Sequence, residues 1–324
     1  MTDINDIKRP VAGAFIQFEE EFINALQSNI HTIQEAIDTI HHSNGKHVRP
    51  LLLLLTAKAC GGQNLTSVHS AVLIELLHTA SLIHDDVVDE TKQRRGVPSV
   101  SAIYDNRIAV LVGDFILADT LIRAVETGSN QIVKIIAMLS REMAEGEIKQ
   151  LENINELILK EEDYFIALEK KTAMLLSSCT EIGAITANAK NELQQKCKEF
   201  GQILGYCFQL KDDLFDYFDS PEIGKPSGND IREGKVTLPL IHALEKANPS
   251  ERNTYLTMLS SQEIPSENID ALIQFAKANG GIEYTEKRML EYKQKADKII
   301  QSFPDSDAKK SLLLLSDYIV ERTK

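Results

Sequence analysis

Two aspartate clusters interrupt the 324-residue sequence: Asp85, Asp86 and Asp89 in DDVVD, and Asp212, Asp213 and Asp216 in DDLFD. On a helix, carboxylates four residues apart leave the same face about one turn apart. Such like charges repel each other, and near a helix C-terminus they also oppose the macrodipole. Both clusters close apolar stretches, HTASLIHDDVV and YCFQLKDDLF, which a solvated acidic surface would not do. A multivalent cation between the carboxylates resolves the conflict. Hard oxygen donors in this number suit Mg2+, which keeps several waters and bridges protein to phosphate.

Basic groups flank both clusters. Arg94 and Arg95 follow the first directly, Lys225 and Lys235 follow the second, and Lys171 stands mid-chain beside Thr172. Lys46 and Arg49 are three apart at a helix start in NGKHVRP; His78 lies seven residues before Asp85, on the same helical face; Gln209 is one turn ahead of Asp213. Any one of these is an ordinary solvated surface residue. Together they carry enough positive charge for two diphosphates, one held through metal and one by direct contacts. The formal net charge of -13 argues against wrapping nucleic acid. It does not argue against a small anion in a locally basic pocket.

The elements that must position these groups read as helices. Between Pro98 and Pro221 no proline occurs, and the stretch shows apolar spacing near 3.6, as in Ile132, Ile135, Ile136 and Leu139. The pattern predicts helices at 12–29, 31–41, 48–60, 67–91, 101–126, 130–151, 162–188 and 191–219. A loop at 220–234 follows, then helices near 236–247, 250–260, 267–279, 283–302 and 307–322. Breaks fall at Asn44-Gly45, Gly61-Gly62, Gly96-Val97-Pro98, Gly128 and PEIGKPSGND (221–230). No segment alternates long enough to be a strand, and no linker or repeat divides the chain. The reading is all-α, one large helical bundle over 1–324. The C-terminal helices carry amphipathic patterns without evident chemistry, so packing is their expected role.

Aromatics make up 6% of the residues and Trp is absent, so the core must come mainly from Leu, Ile and Ala. Cys60, Cys179, Cys197 and Cys207 are widely spaced without a CxxC pair, as expected of free thiols in a reducing cytosol. The N-terminus lacks the apolar core of a signal peptide. The longest apolar run, Leu51–Leu55, is too short for a membrane span. The expectation is a soluble cytoplasmic protein with no integral membrane segment.

The chain resembles the trans-isoprenyl diphosphate synthases, the polyprenyl synthetase family. The likeness runs from GKHVRP (45–50) through HDDVVDETKQRRG (84–96), GD (113–114), AEGEIKQ (144–150), KT (171–172) and QLKDDLFDY (209–217) to GKPSGNDIREGKVTLP (224–239). Long-chain bacterial members of the octaprenyl type, which make quinone side chains, look most similar. The resemblance implies that Asp85 and Asp89 hold two Mg2+ against an allylic diphosphate. Asp212 then holds a third, supported more loosely by Asp216. It places Arg94, Lys171, Gln209, Lys225 and Lys235 on the allylic diphosphate, with Thr172 near the reacting carbons. Lys46, Arg49, His78 and Arg95 fall in the pocket for isopentenyl diphosphate. The family usually reads GGKRxRP, whereas Asn44 and His47 stand here, leaving one fewer permanent positive charge. A homodimer is a family expectation.

On that reading the allylic C–O bond breaks against Mg2+ and the basic set. The allyl cation is attacked by the isopentenyl double bond, and the departing pyrophosphate takes the proton. Class I terpene cyclases share the helical fold but usually carry NDxxSxxxE as the second motif. A non-enzymatic partner subunit would typically have lost an Asp cluster, and a plain structural bundle predicts neither. Chain length follows from helix geometry: Ser81 and Ala80 lie one turn before Asp85, about 5–6 Å further from the metals. Short-chain family members close the tunnel there with aromatics, so Ala80 and Ser81 imply products of about six to ten isoprene units. Ile135, Ile136, Met138 and Leu139 on the facing helix are the expected floor. Farnesyl or geranylgeranyl length is the alternative.

Overall fold

The computed structural model describes residues 3–41, 45–94, 96–218, 227–261 and 263–322. A short α1 (Ile4–Lys8) and a 3-10 turn lead into α2 (Ala12–Ala25), α3 (His31–His41), α4 (Val48–Ala59) and α5 (Leu65–Val88). A two-residue antiparallel hairpin, β1 (Gln93–Arg94) and β2 (Val97–Pro98), precedes α6 (Val100–Ile103), α7 (Asn106–Glu126) and α8 (Asn130–Asn155). Then come α9 (Glu161–Leu168), α10 (Met174–Thr186), α11 (Asn191–Phe215) and α12 (Asn229–Arg232). The chain ends with α13 (Leu238–Lys246), α14 (Pro249–Leu259), α15 (Ser266–Ala278), α16 (Gly281–Gln301) and α17 (Asp307–Glu321). The architecture is the expected all-α bundle.

Two expected helices are interrupted, each for a local reason. The span 101–126 divides because two residues cap in succession: the Ser99 hydroxyl accepts from Ala102 N–H and the Asp105 carboxylate from Ile108 N–H. The span 162–188 carries a π-helical turn at Glu169–Ala173 that joins α9 to α10. Elsewhere the boundaries shift by a few residues. The short α12 lies within the expected loop, after Gly228 at φ 75.

The core is aliphatic as expected. Leu51–Leu55 of α4 are all fully buried, each worth about 2 kcal/mol relative to exposure. Helix α5 packs on α7 and α4; α10 packs on α4 and α11; α11 packs on α16. The absence of a membrane-length segment is corrected. By length and composition α5 is long and apolar enough to cross a membrane, yet 72% of its most apolar window is buried inside the bundle. That marks it as a core helix. Cys60 and Cys197, expected to have no partner, bring their sulfurs within 3.5 Å as free thiols.

Small residues set the closest crossings. A methyl group on Gly201 of α11 would run into Thr180 Oγ1 and the Leu176 carbonyl of α10, with Ser177 Cα 2.8 Å away. Gly201→Val is therefore expected to cost about 3 kcal/mol. It would show as a lower urea midpoint at unchanged slope. A midpoint equal to wild type would refute the tight crossing.

Candidate active site

The last turns of α5 and α11 face one cavity of about 630 Å3. Asp85 and Asp89 line it from α5, Asp212 and Gln209 from α11, and Lys171 and Thr172 from the π-helical turn. Arg49, His78 and Arg94 line it as well. Most of the residues singled out by sequence therefore converge. Arg95 and Lys225 lie outside the described residues, as does Asn44.

The carboxylates are held in unfavourable surroundings. Burial pushes the Asp85 carboxyl up to about 6, with Glu147 and Asp89 adding to the shift and Lys171 and Arg94 opposing it. Asp89 accepts from Lys235 Nζ at 3.2 Å, and Lys235 also meets Glu233 at 2.8 Å. Lys171 Nζ is bound to Glu147 Oε2 at 2.6 Å and Gln150 Oε1 at 2.9 Å. Arg94 holds the buried Asp86 through Nε at 2.8 Å and Nη2 at 2.7 Å. Each cation that the resemblance places on the allylic diphosphate, where described, thus has an acidic partner here. A diphosphate entering with its counterions exchanges carboxylate for phosphate at each of them.

The second cluster divides its labour. Asp212 faces the cavity and is bound by Arg322 Nη2 at 2.7 Å. Arg322 also donates to the Phe208 carbonyl at 3.0 Å and stacks over the Phe208 ring at 4.1 Å. Asp213 turns inward, almost fully buried, accepting from Gln209 Nε2 at 2.8 Å and from the Tyr164 hydroxyl. Thr172 Oγ1 donates to Gln209 Oε1 at 2.9 Å, so one hydrogen-bonded chain ties α9, the π turn and α11. Burial raises the Asp213 carboxyl to about 7. Asp216 lies off the cavity wall: its carboxylate accepts the N–H groups of Asn229 at 2.8 Å and Asp230 at 3.0 Å, capping α12.

The donor set fits Mg2+. Among the described residues no three acidic, histidine or cysteine side chains converge closely enough to enclose a cation. Spaced carboxylates on two facing helices suit an ion that keeps waters and takes phosphate oxygens.

Below the carboxylates, Ala80 and Ser81 line the same cavity, and the Ser81 hydroxyl is satisfied by the His78 carbonyl at 2.8 Å. The opposite wall differs from expectation. Ser140, Met143, Ala144 and Ile148 of α8 and Leu117 of α7 form it. Ile135, Ile136, Met138 and Leu139 do not: Ile136 and Leu139 are buried in the core, and Met138 is 42% exposed. They lie nearer the N-terminus of α8 than the stretch that faces α5 across the cavity. Lys46 stands over the Tyr318 ring of α17 at 5.4 Å.

Sequence reasoning missed Tyr164, Glu147 and Arg322. Glu147 stands in AEGEIKQ (144–150), a stretch that carries the family likeness without marking this glutamate for a role. Arg322 had no signal at all, being a lone arginine in the terminal stretch assigned to packing.

The cavity thus carries paired aspartates at one end and apolar depth beyond them. The polyprenyl synthetase family model matches residues 30–276, and the chain belongs to that family of prenyltransferases. It is 34% identical to the octaprenyl diphosphate synthase of Escherichia coli (strain K12) over 303 residues, 93% of this chain and 94% of that one. The fold superposes on the polyprenyl synthase of Caulobacter crescentus CB15, solved with calcium and isoprenyl diphosphate, with a TM-score of 0.93 and 31% identity. That match covers 99% of this chain and 98% of the other. The geranylgeranyl pyrophosphate synthase of Bacteroides thetaiotaomicron matches with a TM-score of 0.86 and 37% identity, covering 98% and 99% of the two chains.

Proposed function

We propose that this prenyltransferase is a trans-polyprenyl diphosphate synthase. It adds isopentenyl diphosphate repeatedly to an allylic diphosphate, giving about six to ten isoprene units for quinone side chains. The observation that carries the reading is the placing of Ala80 and Ser81 in the cavity that holds Asp85, Asp89 and Asp212. No aromatic closes it at that turn. The second reading, a geranylgeranyl-length product, is favoured by the likeness to the Bacteroides enzyme.

Asp85, Asp89 and Asp212 are the residues that would hold Mg2+, three ions per site, while Asp216, expected to support them, is instead taken by the N-terminus of α12. Bound there, Mg2+ neutralises charge on the leaving diphosphate. Arg94, Lys171, Gln209, Lys225 and Lys235 orient that diphosphate, while Thr172, fixed by Gln209, stands beside the reacting carbons. Lys46, Arg49, His78 and Arg95 hold isopentenyl diphosphate so that its double bond meets the allylic carbon. The apolar wall of Leu117, Met143 and Ile148 keeps water from the cationic carbon. The lost proton leaves with pyrophosphate. A cytoplasmic homodimer is consistent with the exposed apolar face of α7, where Leu111 is 61% and Val125 65% exposed.

Incubating the protein with farnesyl diphosphate, isopentenyl diphosphate and Mg2+ tests the reading by product length. Geranylgeranyl diphosphate as the sole end product would establish the second reading, and no elongation would sink both. The two diphosphate pockets separate in kinetics. Lys46→Ala and Arg49→Ala are expected to raise KM for isopentenyl diphosphate by about tenfold or more. Arg94→Ala and Lys225→Ala should act on KM for the allylic substrate instead. Equal losses for both substrates in every variant would contradict the assignment.

A further inference from the structure

The last turn of α5 has to hold Asp85 and Asp89 at a fixed spacing. At a helix end the final carbonyls lack partners within the helix, so such a turn depends on outside ties. Here they pull from two directions. Arg94 holds Asp86 and Lys235 holds Asp89, while His84 reaches across to α7. His84 Nε2 stands 3.2 Å from the Val110 carbonyl and 3.4 Å from Asp114 Oδ1. A carbonyl can only accept, so Nε2 carries the hydrogen and donates it to α7.

The ring is seated where α7 has no side chain. Gly113 is buried, and the three nearest atoms that a methyl group there would meet all belong to the His84 imidazole, with Cδ2 2.6 Å away. A methyl at Gly201 would meet backbone, whereas one at Gly113 meets the movable end of a single side chain. Gly113 and Asp114 form the GD pair of the sequence, and neither lies on the wall of the substrate cavity. His84 does line that cavity, immediately before Asp85.

We propose that His84 is a positioning residue. Seated on Gly113 and hydrogen-bonded to α7, it fixes the rotation of the last turn of α5. It thereby sets Asp85 and Asp89 for Mg2+, on the reading of both as metal ligands proposed above. The required precision is high. At a side-chain radius of about 5–6 Å, a helix rotation of about 10° moves a carboxylate by about 1 Å. Metal sites work within about 0.5 Å, and Mg2+ demands near-ideal octahedral geometry.

The test is titration of the full chain with Mn2+ at saturating inorganic pyrophosphate, free Mn2+ being read from its electron paramagnetic resonance signal. Wild type should bind, and Asp85→Asn should bind less. His84→Ala and Gly113→Ala should each weaken Mn2+ by about tenfold. The double variant should be no weaker than His84→Ala, because both changes break one link. His84→Gln, whose amide nitrogen can take the place of Nε2, should recover most of the loss. In turnover, KM for the allylic diphosphate should rise in both single variants, with KM for isopentenyl diphosphate unchanged. Wild-type Mn2+ affinity in the folded single variants, with only the melting temperature lowered, would reduce His84 to packing and overturn the proposal. So would additive losses in the double variant, or His84→Gln as weak as His84→Ala. Should His84→Ala fail to fold, Gly113→Ala keeps the imidazole and decides the matter. No Mn2+ binding by wild type would instead remove the metal reading, and the role of His84 with it.

Discussion

Replacing Asp85 with asparagine is expected to cut turnover by about a thousandfold while the bundle stays folded. The expectation rests on where Asp85 stands, in a cavity shared with Asp89 and Asp212, where burial and neighbouring acids make its charge unwelcome without a cation. The same feature gives a sign for stability. A carboxyl whose pKa rises on folding, here from 3.8 to about 6, penalises the folded state as it ionises. Wild-type stability in EDTA should therefore fall as pH rises through that interval and stay lower above it. Asp85→Asn removes the penalty. In EDTA it should melt above wild type at neutral pH, with the gap closing as pH falls below about 4. Near-normal turnover in the folded variant would refute the catalytic role, and a gap of opposite sign would refute the electrostatic account.

The largest change in product, as opposed to rate, is expected from Ala80→Phe combined with Ser81→Phe. Both positions line the cavity one turn below the carboxylates, and the α8 wall opposite is Ser140, Met143 and Ala144. Two rings there would occupy space that an elongating tail must use, while leaving the groups proposed to hold metal and diphosphate untouched. Products should shorten to farnesyl or geranylgeranyl length with the first condensation still running, as chromatography of the dephosphorylated products would show. Unchanged length in an active, folded double variant would mean that the tail leaves by another route.

Residue spacing made much of this legible. Asp85, Asp89, Gln209 and Asp212 fell in one cavity because helix periodicity puts them in the last turns of long apolar helices, and Lys171-Thr172 join them from the π turn. Local pattern could not supply phase between helices. Ile136 shares a face of α8 with Ser140, Met143 and Glu147 at helical spacing, but lies a turn nearer the N-terminus. Which turn of α8 meets α5 depends on how the two helices pack, and no residue encodes that singly. Asp216 shows the converse. Its spacing from Asp212 repeats that of Asp89 from Asp85, yet the N-terminus of α12 takes its carboxylate. Arg322 reaches Asp212 across 110 residues, a pairing with no sequence signature.

The π-helical turn at Glu169–Ala173 makes the chain between α9 and α10 one residue longer than an unbroken helix would need. Removing a single residue there, for instance Lys170, would let α9 run into α10 as one regular helix and would lose the ion pairs of Lys170 with Glu142 and Glu145. Because the wide turn absorbs the extra residue, α9 and α10 would keep close to their present faces. What would change is the turn itself, from which Lys171 and Thr172 enter the cavity. The same deletion made in the regular turns of α10 would instead rotate the two sides by about 100° relative to each other. A deletion scan along this segment should therefore show a protein that still folds when the residue is taken from the bulge and one that does not when it is taken a turn or two later.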